Sequence, residues 1–170
     1  MKPTDFNRGL DRDALMVMLS YERDSGVFRW NVNRGHAKVG SIAGKPHPHG
    51  YVLIGINGWH YLAHRLAWFY VYGVWPEKEV DHRNGIKNDN RIDNLREATK
   101  SQNMWNMAAN SDGLVGMKGV WRDKRDGRYY ARITYNRKSV ALGGYDTAEK
   151  AHAAYVAAAQ EYHGEFARTE

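Results

Sequence analysis

The feature that most constrains this sequence is a polar, asparagine-rich segment at residues 80–106. Asparagine and Asn-Gly pairs favour turns and locally hydrogen-bonded loops, and here they separate two strand-like runs at 80–82 and 95–98. Thr99 and Gln102 then form a capping-box signature, which marks the start of a helix. The segment therefore predicts a strand, a long loop, a second strand and a helix in succession.

Asp81 and His82 are adjacent in the first of these predicted strands. Adjacent residues of a strand point to opposite faces, so one side chain could bind a cation while the other faces a substrate. The simpler interpretation is a polar surface loop between two strands. The Asp-His pair, with a helix start behind it, favours a functional site.

The composition excludes several other kinds of protein. There is no cysteine, which excludes a disulfide scaffold, a thiolate zinc site and a cysteine nucleophile. No apolar run reaches the roughly 18 residues of a membrane-spanning helix, and the first residues lack the apolar stretch of a signal peptide. We expect a soluble protein of a reducing compartment.

The positive charge is concentrated in one stretch. The 170 residues include 25 lysines and arginines against 19 acids, a net charge of +6. Residues 118–138 hold eight basic residues and only two acidic ones, Asp123 and Asp126. The net charge of this stretch, +6, equals that of the whole chain. Such a patch concentrates and steers polyanions. A solvated strand face explains the charge alone equally well, but the neighbouring Trp121 and Tyr130 favour nucleic acid.

The first half of the sequence predicts a mixture of helices and hairpins. Residues 10–20 have the pattern of a short helix with Leu10, Ala14, Val17 and Met18 on its apolar side. Residues 27–30 read as a strand. Residues 51–61 predict a hairpin, because Asn-Gly at 57–58 suits a type I′ turn. A buried helix is expected at 62–72, ended by glycine and proline.

The last third predicts a sheet covered by one helix. Three strands are expected at 119–122, 129–135 and 139–142, and a helix at about 147–163. Asp146 with Glu149 resembles a capping box for that helix. Alternation along the middle strand places Ala131 and Ile133 under the alanine-rich helix and Arg132 on the other face.

The segment at 80–106 resembles the ββα-metal motif of HNH endonucleases, in the subgroup found in phage and intron homing enzymes. In that subgroup an Asp-His pair ends the first strand, and asparagines follow at twelve and twenty-one residues after the His. Asp81, His82, Asn94 and Asn103 stand at these positions. The resemblance covers roughly residues 10–108.

This resemblance implies a role for each of the four residues. His82 would be the general base, Asn94 would hold the His82 segment by a hydrogen bond, and Asp81 with Asn103 would bind one divalent ion. Mg²⁺ is expected, with Mn²⁺ possible, because Mg²⁺ prefers oxygen ligands and keeps several waters. A His with a pKa near ~6.5 can take a proton from water at neutral pH. Asn106, one helical turn on, is the alternative to Asn103.

Residues 118–168 resemble an AP2 domain, on the strength of several segments: 119–121, 130–133, 142–151, 153–155 and 163–165. That family implies a three-stranded sheet lying in the DNA major groove. Lys118, Trp121 and Arg132 fall where its base and phosphate contacts occur. Ser139 and Ala141 stand where plant members carry Arg and Trp. The remaining basic side chains would bind phosphates, and such contacts position a protein on DNA without reading the base sequence. These side chains are Arg122, Lys124, Arg125 and Arg128.

Together these patterns predict an α+β protein. A nuclease domain is expected at 1–108, with its ββα-metal core at about 77–108. A linker is expected at 109–117, followed by the AP2-like domain at 118–168, a three-stranded antiparallel sheet with one packed helix.

The leading functional hypothesis is a metal-dependent, site-preferring DNA endonuclease of the homing type. It would act on double-stranded DNA as a monomer in the cytoplasm of a bacterial host, without a membrane. The alternative is a non-catalytic AP2-type DNA-binding regulator with a degenerate nuclease module. A nonspecific or RNA-directed nuclease is a third possibility.

Overall fold

Residues 9–108 and 116–169 are described by the structure, a computed structural model, and fall into two units, Met1–Thr99 and Lys100–Glu170. Most of the linker predicted at 109–117 lies outside the described residues. The predicted α+β fold class is confirmed. Within the described ranges, no helix combines the length and hydropathy needed to cross a membrane.

The first unit contains two helices and seven strands among its described residues, with short hairpin-like sheets between the helices. In chain order they are α1 (Arg12–Met18), β1 (Leu19–Glu22), β2 (Val27–Trp30), β3 (Lys45–Pro46), β4 (Val52–Ile56), β5 (Trp59–Leu62), α2 (Ala63–Tyr72), β6 (Glu79–His82) and β7 (Leu95–Ala98). The strands pair antiparallel as β1–β2, β3–β4–β5 and β6–β7. A 3₁₀ turn at Ile92–Asn94 leads into β7.

The hairpin predicted from Asn57-Gly58 is confirmed as β4 and β5. Asn57 has a φ of 49° and Gly58 a φ of 80°, and positive φ at both central residues is what a type I′ turn requires. The helix predicted next is confirmed as α2. It ends at Gly73, whose left-handed φ of 75° lets its N–H bond the Phe69 carbonyl.

The predicted first helix is only partly right. It ends at Met18, because Leu19 adopts an extended conformation and pairs with Trp30 of β2. The predicted apolar side was also wrong for Val17, which is 67% exposed, whereas Leu15 is fully buried. The packing of Leu15 into the core orients the short helix, and the spacing of its other apolar residues does not predict this orientation.

One hydrophobic core joins the hairpins and α2 to the strands that bear the Asp-His pair. Its fully buried side chains include Leu15, Leu19, Phe28, Ile54, Ile56 and Leu66. Val80 of β6, Leu95 of β7 and Ile92 of the preceding turn belong to the same core. These apolar residues therefore anchor both strands around the polar segment.

The second unit is a helix followed by a sheet and a covering helix. Its elements are α3 (Lys100–Trp105), β8 (Val120–Arg122), β9 (Tyr129–Tyr135), β10 (Lys138–Tyr145) and α4 (Ala148–His163). β9 is the central strand and both pairings are antiparallel.

The predicted alternation along β9 is confirmed. Ala131 and Ile133 are each 1% exposed, while Arg132 is exposed on the other side of the strand. The predicted capping residue of α4 was wrong. Thr147, not Asp146, is the N-cap residue of α4, because the Thr147 hydroxyl accepts a hydrogen bond from the Lys150 N–H at 3.3 Å.

Gly26 provides a test of how β1 and β2 support the polar segment. It has a φ of +71°, and a Cβ there would collide with the backbone of Asn90 and Arg91. We expect Gly26→Ala to destabilise the protein by about 2–5 kcal/mol, because it adds left-handed strain to overpacking. Chemical denaturation measures the loss.

Gly58→Ala is the matched control, because Gly58 has a φ of +80° and no atom lies within 4 Å of the place that an added methyl group would take. We expect a loss of only about 1–2 kcal/mol there. Equal losses from the two variants would contradict the close approach of the β1–β2 turn to the loop.

Candidate functional site

A buried ion pair links the two strands of the candidate site. Asp81 of β6 lies opposite Arg96 of β7, and the Arg96 Nε donates to the Asp81 Oδ2 at 2.9 Å. The side chain of Asp81 is 5% exposed and that of Arg96 is 6% exposed. Burying either charge alone is costly, so each residue fixes the position of the other.

His82 lies on the opposite side of β6 from Asp81 and is also buried. Its Nε2 is 3.3 Å from the Asn90 Oδ1. Since an amide oxygen can only accept, this contact places the proton on Nε2 and leaves Nδ1 as the basic nitrogen. Burial lowers the pKa of His82, and the hydrogen bond with Asn90 partly offsets that effect. The imidazole is therefore neutral at neutral pH.

Two further rings surround His82. The ring of His64, on α2, lies edge-on at 5.0 Å between centroids, and Tyr51 lies at 6.1 Å. Burial lowers the pKa of His64 well below its ordinary value, so both imidazoles are uncharged together. The sequence did not indicate that His64, Asn90 and Tyr51 lie beside His82, since no spacing pattern in one sequence connects them to it.

Asn94 ties together the loop that follows His82. Its Oδ1 accepts from the Asn84 N–H at 3.1 Å, its Nδ2 donates to the Asp89 carbonyl at 2.8 Å, and its own carbonyl accepts from the Arg83 N–H at 2.8 Å. The bonds reach residues just after His82, not His82 itself. They hold the chain leaving the histidine against the chain entering β7.

Asp89 reinforces the same loop. Its carboxylate accepts from Asn84 Nδ2 at 2.7 Å and from Arg91 Nη2 at 2.6 Å. The Arg91 hydrogen bonds are the main reason that the pKa of Asp89 falls to about 2. Asp89 therefore orders the loop.

The carboxylate of Asp81 and the side-chain amide oxygen of Asn103 are each a type of donor that a hard divalent cation binds. A carboxylate has two oxygens and about four lone-pair sites, so Asp81 can serve Arg96 and a cation together. Across the described residues, no group of three or more His, Asp or Glu side chains gathers at one point.

Asn103 lies in α3, the helix predicted to follow Thr99, and is half-buried. The alternative ligand Asn106 lies one residue past the end of α3 and is 6% exposed. The structure groups both residues with the second unit, Lys100–Glu170. The first unit brings together Asp81, His82 and Asn94.

The outward face of the β8–β9 sheet carries stacked aromatic and basic groups. The Trp121 ring stacks on Tyr130 at 5.7 Å, and the Arg132 guanidinium lies over the Trp121 ring at 5.3 Å. Trp121 is 39% exposed. An aromatic and cationic surface of this kind suits nucleotides.

The other predicted DNA contacts differ in how they are held. Lys124 is exposed, and Arg125 forms an ion pair with Asp123 at 2.6 Å. Arg122 donates to the Gly127 carbonyl and Arg128 to the Gly144 carbonyl, each at 3.1 Å. Lys118 differs from all of these, because its ammonium donates to the carbonyls of Trp105 and Met107 inside the second unit.

Comparison with known proteins finds two domains in succession, with the HNH match including α3 of the second unit. A family model described as HNH endonuclease matches residues 61–105, and a second, described as AP2 domain, matches residues 115–165. Protein 3.8 of Escherichia phage T7 is 30% identical over 106 residues, which cover 62% of this chain and 87% of that protein. The chain therefore belongs to the HNH endonuclease family, with an AP2 domain after its HNH domain.

Asn94→Ala tests the loop-closing role. The change removes two hydrogen bonds and leaves the Asn84 N–H and Asp89 carbonyl without that partner, so we expect a loss of about 1–3 kcal/mol in the free energy of unfolding. Denaturation of the full chain measures it. Asn88→Ala is the control, because Asn88 is exposed in the same loop. A similar loss in both variants would contradict the role of Asn94.

Proposed function

We propose that this protein is a metal-dependent endonuclease that hydrolyses phosphodiester bonds in double-stranded DNA, at or near preferred sites. The observation that carries the proposal is the buried, neutral His82 at the end of β6, oriented by Asn90 and backed by the Asp81–Arg96 pair. A neutral imidazole with an unprotonated nitrogen is what a general base requires.

The chain's own residues divide the work. His82 Nδ1 takes a proton from the attacking water, Asn90 holds the tautomer that leaves Nδ1 basic, and Asn94 keeps the following loop in place. Asp81 and Asn103 are the proposed ligands of one divalent ion, Mg²⁺ or Mn²⁺. Such an ion, when bound, stabilises negative charge on the scissile phosphate and the leaving oxygen.

The second unit is proposed to hold the DNA. Trp121 and Arg132 on the exposed sheet face would contact the groove, and Arg122, Lys124, Arg125 and Arg128 would contact phosphates. Their number gives affinity that falls with salt, and the covalent link between the domains raises the local concentration of DNA at the nuclease domain. The likeness to a phage protein supports action inside a bacterial host cell. The protein is proposed to act there in the cytoplasm as a monomer.

His82→Ala tests the catalytic assignment. Supercoiled plasmid is incubated with the full chain and Mg²⁺, with and without a chelator, and nicked and linear products are counted. We expect cleavage to fall by ~10²–10⁴-fold, with DNA affinity unchanged, and wild-type cleavage to stop in the chelator.

The control is His60→Ala, which removes an exposed histidine of β5 and should cut normally. Undiminished cleavage by His82→Ala would remove His82 from the mechanism. DNA binding without any cleavage by the wild-type chain would favour the alternative, a non-catalytic regulator.

Arg132→Ala tests the DNA-binding face. Losing one phosphate contact should lower the slope of log affinity against log salt by about 0.9, whereas losing a base contact should leave the slope unchanged and weaken the preference for one sequence. Fluorescence anisotropy across a salt series measures both. Lys150→Ala on α4 is the control, and an Arg132 variant indistinguishable from it would exclude this face.

A further inference from the structure

The last residue of α3, Trp105, is packed against the sheet and helix of the second unit. Its indole lies parallel to the His163 ring, with 4.3 Å between centroids and 6° between planes, and it stacks on Tyr135 at 5.8 Å. Tyr135 in turn contacts Tyr162 at 5.3 Å. α3 is therefore fixed at its C-terminal end by a group of aromatic rings.

The orientation of His163 is itself fixed. It is 6% exposed, and its Nε2 is 3.0 Å from the Thr134 carbonyl. Since a carbonyl can only accept, Nε2 donates to it. This bond to β9 sets the plane of the imidazole, and the imidazole sets the plane of Trp105.

Lys118 holds the same end of α3 by its backbone. Its ammonium donates to the Trp105 carbonyl at 2.5 Å and to the Met107 carbonyl at 2.6 Å. The last carbonyls of a helix lack partners within the helix and carry its negative end, so a lysine there satisfies and stabilises them. Burial lowers the pKa of Lys118 to about 8, as expected for an ammonium directed inward.

These contacts matter because α3 is weak on its own. It spans six residues, Lys100–Trp105, and none of them is fully buried. Isolated helices of fewer than about 12 residues are marginal in water. The helical conformation of Asn103 therefore depends on contacts made at the C-terminal end of α3.

We propose that Lys118 and His163 are positioning residues for Asn103, because they hold the C-terminal end of the helix that carries it. The inference rests on the proposed function in one respect, the assignment of Asn103 as a metal ligand. It gives Lys118 a different role from the DNA contact that the family resemblance implies.

The test measures metal binding directly, so that it does not depend on cleavage. Mn²⁺ is titrated into the full chain in the His82→Ala background, and free Mn²⁺ is followed by electron paramagnetic resonance. Adding Lys118→Met should weaken Mn²⁺ binding by ~10–100-fold, the usual effect of losing support behind a metal ligand. Asn103→Ala should weaken it at least as much, and Lys118→Arg should retain most of the affinity.

Lys150→Met is the matched control, because Lys150 is an exposed lysine of α4. It should leave Mn²⁺ affinity unchanged. Unchanged Mn²⁺ affinity in Lys118→Met would overturn the inference, and so would a loss of DNA affinity with metal binding intact, which would mark Lys118 as a phosphate contact.

A second pair of variants covers the case in which Lys118→Met does not fold. His163→Phe keeps a flat ring beside Trp105 and should bind Mn²⁺ nearly as well as the parent, whereas His163→Leu should bind it ~10-fold more weakly. Equal affinities in these two variants would overturn the inference. Failure of the wild-type chain to cut DNA would refute the proposed function alone, since Mn²⁺ binding is read separately.

Discussion

The ion pair between Asp81 and Arg96 is the interaction on which the first unit's polar segment depends. The two residues face each other across β6 and β7, and neither charge is tolerable in a buried position without the other. A shift of one residue in the pairing would place the two side chains on opposite faces of the sheet. The pair therefore fixes the register, and the register places Asn94 and Arg83 where their backbones close the loop.

Much of this architecture could be predicted, because local chemistry determines it. Asn57-Gly58 dictates its turn through backbone conformation, and the alternation along β9 reflects which side chains a covering helix buries. Both rules operate over a few neighbouring residues, so one sequence is enough to apply them. The spacing of Asp81, His82 and Asn94 was identified differently, through the resemblance to HNH endonucleases.

The parts that escaped prediction depend on contacts between distant residues. Asn90 and His64 contact His82 only after α2 and the loop have packed together, and no periodic pattern in the sequence predicts those contacts. Lys118 has the charge of a DNA ligand, but its ammonium is bound to α3. Two local predictions also failed. The packing of Leu15 left Val17 exposed, and the Thr147 hydroxyl caps α4 in place of Asp146.

The contacts that hold α3 determine when this helix can form during synthesis, because they come from residues that follow it in the sequence. The ribosome releases Trp105 before Lys118, Tyr135 and His163, and domains generally fold as units from the N-terminal end. The first unit can form its sheets early because its strands pair with near neighbours. α3 is stabilised only after the residues that pack against it have been synthesised. A newly made chain would thus complete α3, the helix that carries Asn103, only after the second unit has folded.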